Sequence, residues 1–381
     1  MQRVRERVSG LVTGVKITRI DVHKVVVPAR PGTTHSAEYH DATDPRAWTG
    51  VDFDKQTKFI YEIHTDEMLV GLGEGYRGTD ERLVEANCKT LLGQNVMKLN
   101  WRELPLPYNR AYDGFECAVL DLVGKKLGVP VYQLLGGAFR DKVLVDFWCG
   151  RQSPPDLRKR MKEAVRRGYH GIKMKYCMGD PHRERAEVVQ KIGGKDFQII
   201  FDPNMRCHTV ANALKMARDL EGFNVACLED PIPRWDLAGF RLLREKINIP
   251  IAFHTHMPYG QTIHEMLSCV KADAADIYNL SGSVSGVLHM SHIADANGCP
   301  VWHGSEADLG ILEAAYLHTC AAMRNCTIPS DLFGELIRVD DLIARPHRVS
   351  RGAQGVYFHV PQGPGLGIEL DRKALQRFRQ K

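Results

Sequence analysis

The sequence predicts an α/β fold: a parallel (β/α) barrel preceded by a smaller antiparallel α+β unit. Three observations predict it: strand-like alternation near the start, a regular beat of short apolar runs from about residue 143 onward, and a polar or charged residue closing each run. With 381 residues the chain exceeds one average core and suits a barrel plus a second unit. A content of 44% hydrophobic and 25% charged residues is that of a globular protein and excludes long disorder or a fibrous repeat. The apolar runs, such as 143–145 and 225–228, fall far short of the roughly 20 residues a spanning helix needs, so no membrane span is expected. The formal charge of +5 is small, and Arg3, Arg5 and Arg7 read as a solvated basic start rather than a nucleic-acid or membrane contact. That start lacks the apolar core of a secretory signal, so a cytoplasmic location is expected. Ten cysteines scattered without a C-x-x-C pair fit a reducing compartment better than a zinc knuckle or a disulfide framework.

Taken in order, residues 15–27 (VKITRIDVHKVVV) and 59–65 (FIYEIHT) alternate in the β manner and open the chain with an antiparallel sheet. Residues 29–52 between them have no periodicity. A connection this long is functional or disordered. From Ala111 to Leu127 the positions Phe115, Ala118, Val119 and Leu122 follow helical spacing, and Gly128 with Pro130 ends the helix and the first unit.

Seven runs then follow, each succeeded by a helical stretch: VLVDFW, GIKMKY, FQIIFDPN, VACLEDP, PIAFHTH, AADIYNL and CPVWHGS. Their closing polar residues, Trp148, Lys173, Asp202, Glu229, His254, Tyr278 and His303, are 25, 29, 27, 25, 24 and 25 positions apart. One interval is one βα unit. An open doubly wound sheet is disfavoured because no glycine-rich phosphate loop follows the early strands. In a closed barrel all strand ends open on one face and share one site.

Asp202 and Glu229 close consecutive strands, so their carboxylates converge and call for a cation, with Mg²⁺ the natural hard partner. The alternative is that both are salt-bridged to the strand-end lysines. His254 is the expected third ligand, with Thr255 and His256 competing, and an imidazole there shifts preference toward Mn²⁺, Fe²⁺ or Zn²⁺. Lys173 and Lys175 point to the same side of one strand, where two ammonium groups lower each other's pKa. Lys175 is assigned as a general base and Lys173 as its modulator and a contact for a substrate carboxylate. This set suits removal of a proton alpha to a carboxylate, a step that needs strong charge neutralisation. His303 would face Lys175 across the mouth as an acid, or be a core residue beside Trp302.

At these residues the sequence resembles the enolase superfamily, from about Val15 to Leu375. The marks are K-M-K at 173–175, F-D-P-N at 201–204, L-E-D-P at 228–231, G-K-K-L-G-V-P-V-Y-Q-L-L-G-G at 124–137 and P-G-L-G-I-E-L at 364–370. The resemblance implies a modified (β/α)7β barrel over residues 139–345, capped by an α+β domain of residues 1–138 to which 346–381 return. It implies Lys175 as the base, with Asp202 and Glu229 as the first two metal ligands and His254 in the place of the third. Ser281 stands about where the cycloisomerase and dipeptide-epimerase branch carries a second lysine. His303 falls within a residue of the histidine of the racemase and dehydratase branches, whose partner aspartate is missing. One base and one acid suit the loss of water from a hydroxylated, sugar-acid-like carboxylate, giving a 2-keto acid. Asn204, Tyr278, His35, Tyr39 and Arg234 are expected at the substrate, with Trp235 beside Arg234 and the 29–52 loop, including Glu38 and Trp48, over the polyol end. A racemase or epimerase of a 2-hydroxy or amino acid, and a catalytically silent relative, are the competing readings. A small carboxylate and further copies of the chain are the expected partners, with no nucleic acid or membrane.

Overall fold

The computed structural model describes residues 15–39, 56–255 and 262–380. It opens with an antiparallel sheet in which β1 (Ile17–Val25), β2 (Lys58–Thr65) and β3 (Val70–Glu74) lie in that order. Strand β3 has no sequence signature, because V-G-L-G-E carries two glycines and no alternation. Its glycines serve close packing instead: a Cβ at Gly73 would lie 2.0 Å from the carbonyl oxygen of Gly114 on the Tyr112–Leu127 helix. That helix matches the expected segment and ends where Gly128 turns left-handed at φ 71. It is buried continuously from Tyr112 to Gly124. Beyond it, Glu116 accepts the amides of Val284 and Ser285 at 2.6 and 3.1 Å, at the start of the Val284–Ala296 helix.

Each of the seven expected runs contains a strand. After β4 (Lys142–Val145) come β5 (Phe147–Cys149), β6 (Gly171–Lys175), β7 (Gln198–Asp202), β8 (Val225–Glu229), β9 (Ile251–Thr255), β10 (Ile277–Leu280) and β11 (Val301–His303). Strands β5 to β11 form one parallel sheet in sequence order, with helices between successive strands. Residues 326–331 run along its open side. Asp331 N donates to His303 O at 2.9 Å and Ser330 N to Leu144 O at 2.8 Å, so this irregular stave joins β11, at one edge of the curled sheet, to β4, the strand that leads into β5 at the other edge.

The side-chain period of two then sorts the strands. Ile200, Cys227, Ala252, Ile277 and Trp302 form one apolar cluster, separate from the larger core under the helices. Two residues further along, the same faces present Asp202, Glu229, His254 and Asn279. The chain finishes with β12 (Val349–Gly352) and β13 (Gly355–His359), the latter paired with β4. The last residues return to the first sheet, where Val26 N donates to Phe378 O at 3.0 Å and Arg372 Nη1 lies 2.7 Å from Glu62 Oε1. Among the described residues no helix is long and apolar enough to cross a membrane.

Candidate active site

The polar layer at the strand ends is tied together by Lys173. Its Nζ lies 2.6 Å from Asp331 Oδ2, 2.7 Å from Glu229 Oε2 and 3.7 Å from Asp202 Oδ2. Lys175 Nζ contacts Asp202 Oδ2. The Asn279 amide donates to Glu229 Oε1 at 2.7 Å. His254 has Nε2 2.7 Å from Ser281 Oγ and Nδ1 3.4 Å from Glu229 Oε1. Gly304 makes room for this ring: a Cβ there would meet Ser281 Oγ at 2.4 Å, Asn279 Oδ1 at 2.5 Å and His254 Nε2 at 3.0 Å. The backbone just past β7 and β8 is strained, with φ 46 at Asn204, 70 at Met205 and 44 at Asp230.

A cavity of about 90 Å³ opens here, lined by Lys173, Lys175, Asn204, Met205, Glu229, Arg234, His254, Asp331, Arg77, Glu306 and the stacked pair Trp148 and Phe333, among others. A larger cavity of about 1040 Å³ lies elsewhere, against residues 344–348 and 359–364. None of the strand-end residues of the barrel lines it, so the smaller cavity is the candidate site.

Burial alone would lower the pKa of Lys173, but Asp331, Glu229 and Asp202 outweigh it and hold the ammonium well above its ordinary value. The expected lowering of Lys173 by a second ammonium is therefore corrected, because three carboxylates surround it. Burial also works against the Asp202 carboxylate, yet Lys175 and Lys173 keep its pKa below the usual value. For Glu229, burial and then the Asp202 charge push the pKa up to about 8.

Among the described residues no three His, Cys, Asp or Glu side chains already form a cage, since Lys173 stands between the carboxylates. The donors nevertheless fit a hard divalent ion. Asp202, Glu229 and Asp331 face two ammonium groups, and the Oδ1 atoms of Asn204 and Asn279 are buried without a hydrogen-bond partner. His254 lies beside Glu229. Thr255 instead donates its hydroxyl to Asn279 O at 3.2 Å, and His256 lies outside the described residues.

Other candidates sit elsewhere. His303 is one residue out of phase with the inward Trp302: its ring stacks on Tyr316 at 3.9 Å, Nδ1 meets Gly304 O at 2.7 Å, and it does not line the cavity. It is thus corrected as the acid facing Lys175. Tyr278 is out of phase in the same way and belongs to the core under the helices, while Asn279 beside it points inward. His35 Nδ1 accepts from Arg151 N at 2.8 Å, and the ring of Tyr39 lies under the Arg151 guanidinium at 4.5 Å; neither lines the cavity. Trp48 and residues 40–52 of the loop lie outside the described residues. Arg234 lines the cavity and bonds Asp230 through Nε at 2.7 Å, whereas Trp235 is exposed.

Sequence reasoning missed Asp331, Asn279, Arg77 and Glu306. For Asp331 a signal existed, since it follows His303 by 28 positions, within the established beat.

A family model described as enolase C-terminal domain-like matches residues 156–374. The chain belongs to the enolase superfamily. Among enolase-superfamily relatives, the N-succinyl-L-Arg/Lys racemase of Bacillus cereus is 25% identical, with 96% of this chain and 98% of that enzyme covered. D-xylonate dehydratase of Haloferax volcanii is 27% identical over 90% and 92% of the two chains. Muconate cycloisomerase 1 of Rhodococcus opacus is 30% identical over 69% and 70%. The superfamily fold is matched by muconate lactonizing enzyme from Pseudomonas fluorescens complexed with muconolactone, with a TM-score of 0.80 at 24% identity over 96% of this chain and 100% of that one. The relatives thus include dehydratases, racemases and epimerases, and cycloisomerases.

Proposed function

We propose that this chain is a metal-dependent hydro-lyase that takes the proton alpha to the carboxylate of a sugar-acid-like substrate and expels water to give a 2-keto acid. One observation carries the reading: Lys175 lines the cavity beside Asp202, while His303, the candidate for a second acid or base, is turned into the helix layer. A base on one side suits elimination better than racemisation, which needs a partner on the opposite face.

Asp202 and Glu229, with His254 beside them, would hold Mg²⁺ or Mn²⁺, which when bound withdraws charge from the substrate carboxylate. Lys173, kept charged by its three carboxylates, donates to that carboxylate and holds it in place. Lys175 Nζ, as the free amine, takes the α-proton. The resulting ammonium returns a proton to the hydroxyl on the neighbouring carbon, which departs as water. The enol left behind becomes the 2-keto acid by moving its hydroxyl proton to carbon. The same reading divides the chain into a capping unit, 1–138 with 346–381, and a catalytic barrel, 139–345. It expects an oligomer in the cytoplasm.

An acid-sugar library screened for 2-keto acid with Mg²⁺ and with Mn²⁺ tests this. Product from at least one acid, abolished in Lys175→Ala, is expected. Substrate returned with deuterium at the α-carbon and no keto acid would replace the lyase by a racemase.

A further inference from the structure

We infer that the cavity selects a carboxylate whose remaining length is uncharged and hydroxylated, and that the Arg77–Glu306 ion pair is the element that rejects a second carboxylate. The inference rests on the proposed reading for which end of the substrate reacts.

Arg77 follows β3 on the antiparallel sheet, and Glu306 follows β11 in the barrel, so the pair bridges the two parts of the chain at the cavity wall. Arg77 Nε lies 2.7 Å from Glu306 Oε2, and both side chains line the cavity. Arg234, the other guanidinium on the wall, is likewise held by a carboxylate, with Nε 2.7 Å from Asp230 Oδ2. Among the described residues, therefore, each arginine at the cavity already faces an acid. The ammonium groups that could receive a substrate carboxylate are confined to the Lys173 and Lys175 side.

The wall is also stiff. Glu306 N donates to Asp308 Oδ2 at 2.8 Å, the same oxygen accepts from Tyr316 at 2.9 Å, and Asp308 contacts the buried Lys58, which also holds Glu74 at 2.7 Å. This network fixes the backbone that carries Glu306 and so keeps its carboxylate beside Arg77. An intact pair offers N–H donors and carboxylate oxygens to hydroxyl groups. A second carboxylate would instead meet the negative charge of Glu306, and such like-charge contact is how sites discriminate. The stacked rings of Trp148 and Phe333, 4.5 Å apart, give the carbon chain an apolar side to lie on.

The test is calorimetric binding of a straight-chain aldonate and of the aldarate with the same carbon number and stereochemistry, using the full chain saturated with Mg²⁺. The aldonate is expected to bind at least tenfold more tightly. Glu306→Gln should narrow that ratio at least tenfold, because the negative charge that repels the second carboxylate is then gone from the wall. Arg77→Gln should widen it. The two shifts are opposite, whereas simple loss of folding would weaken both ligands together. Equal binding of the two acids by the unaltered chain, or variants that leave the ratio unchanged or move it the same way, would overturn the inference. Keto-acid formation is followed in parallel. A preserved ratio without product would overturn the lyase reading alone, product without the ratio this inference alone, and no binding of either acid both.

Discussion

Lys173 and Asp331 meet where the barrel closes, with Nζ of the lysine on β6 2.6 Å from Oδ2 of an aspartate contributed by the irregular stave 326–331. The same oxygen receives the indole N–H of Trp302 at 3.4 Å. Asp331→Asn keeps the size of the side chain and leaves Glu229 and Asp202 to hold the ammonium. Misplacing a group that orients substrate costs on the order of 100-fold. Turnover should therefore fall by about that factor with little change in melting temperature, as read by steady-state kinetics beside calorimetry. Unchanged turnover would show that Asp331 does not position Lys173 for catalysis.

At Gly304 a methyl group would enter the polar layer. Gly304→Ala brings a Cβ to 2.4 Å from Ser281 Oγ and 2.5 Å from Asn279 Oδ1, so His254 or its neighbours must move. Overpacking of this kind costs about 1–3 kcal/mol. Mn²⁺ affinity, measured by calorimetry, should weaken along with stability. A fully stable variant with unaltered Mn²⁺ binding would mean that His254 does not depend on this space.

His303 belongs to the helix side of β11, so His303→Gln should lower activity by less than about tenfold, in contrast to any change at a true acid, which costs ~10²–10⁴-fold. Burial pushes the His303 pKa down from 6.5 to about 4. The unfolded chain therefore binds a proton more readily, and stability is lost as pH falls from 6.5 toward 4. The variant should show a shallower loss of stability across that window in denaturant titrations. A steeper loss would contradict the assignment.

Glu62 anchors the chain's end. Burial works against its carboxylate, but hydrogen bonds from His23 and Arg372 outweigh it and bring the pKa from 4.5 to about 2. A lowered carboxylate pKa stabilises the fold above 4.5, and that contribution drains away as pH falls toward 2. Arg372→Ala should reduce stability at neutral pH and flatten its decline between pH 4.5 and 2. Acid titrations of the two proteins that superimpose would show that the pair contributes nothing.

Much of this was legible in the sequence. Strand ends recur once per βα unit, which exposed Lys173, Asp202, Glu229 and His254. The errors came from phase and from irregular backbone. Spacings of 24 and 25 residues led to Tyr278 and His303, each one residue from the inward positions Asn279 and Trp302, and a shift of one residue in a strand reverses the face. Asp331 sits on a stave without regular strand pairing, so P-S-D-L-F carried no alternation to mark it. Arg77 and Glu306 lie in loops, where only the fold decides which residues meet.

The proposed reaction begins with removal of the α-proton by Lys175. The measurement that reaches it most directly is exchange of that proton with solvent deuterium, followed by NMR on an acid that the Mg²⁺-loaded protein turns over, for the unaltered chain and for Lys175→Ala. Exchange or keto-acid formation is expected in the first and a loss of about 10²–10⁴-fold or more in the second. Equal rates in the two proteins would contradict that role of Lys175.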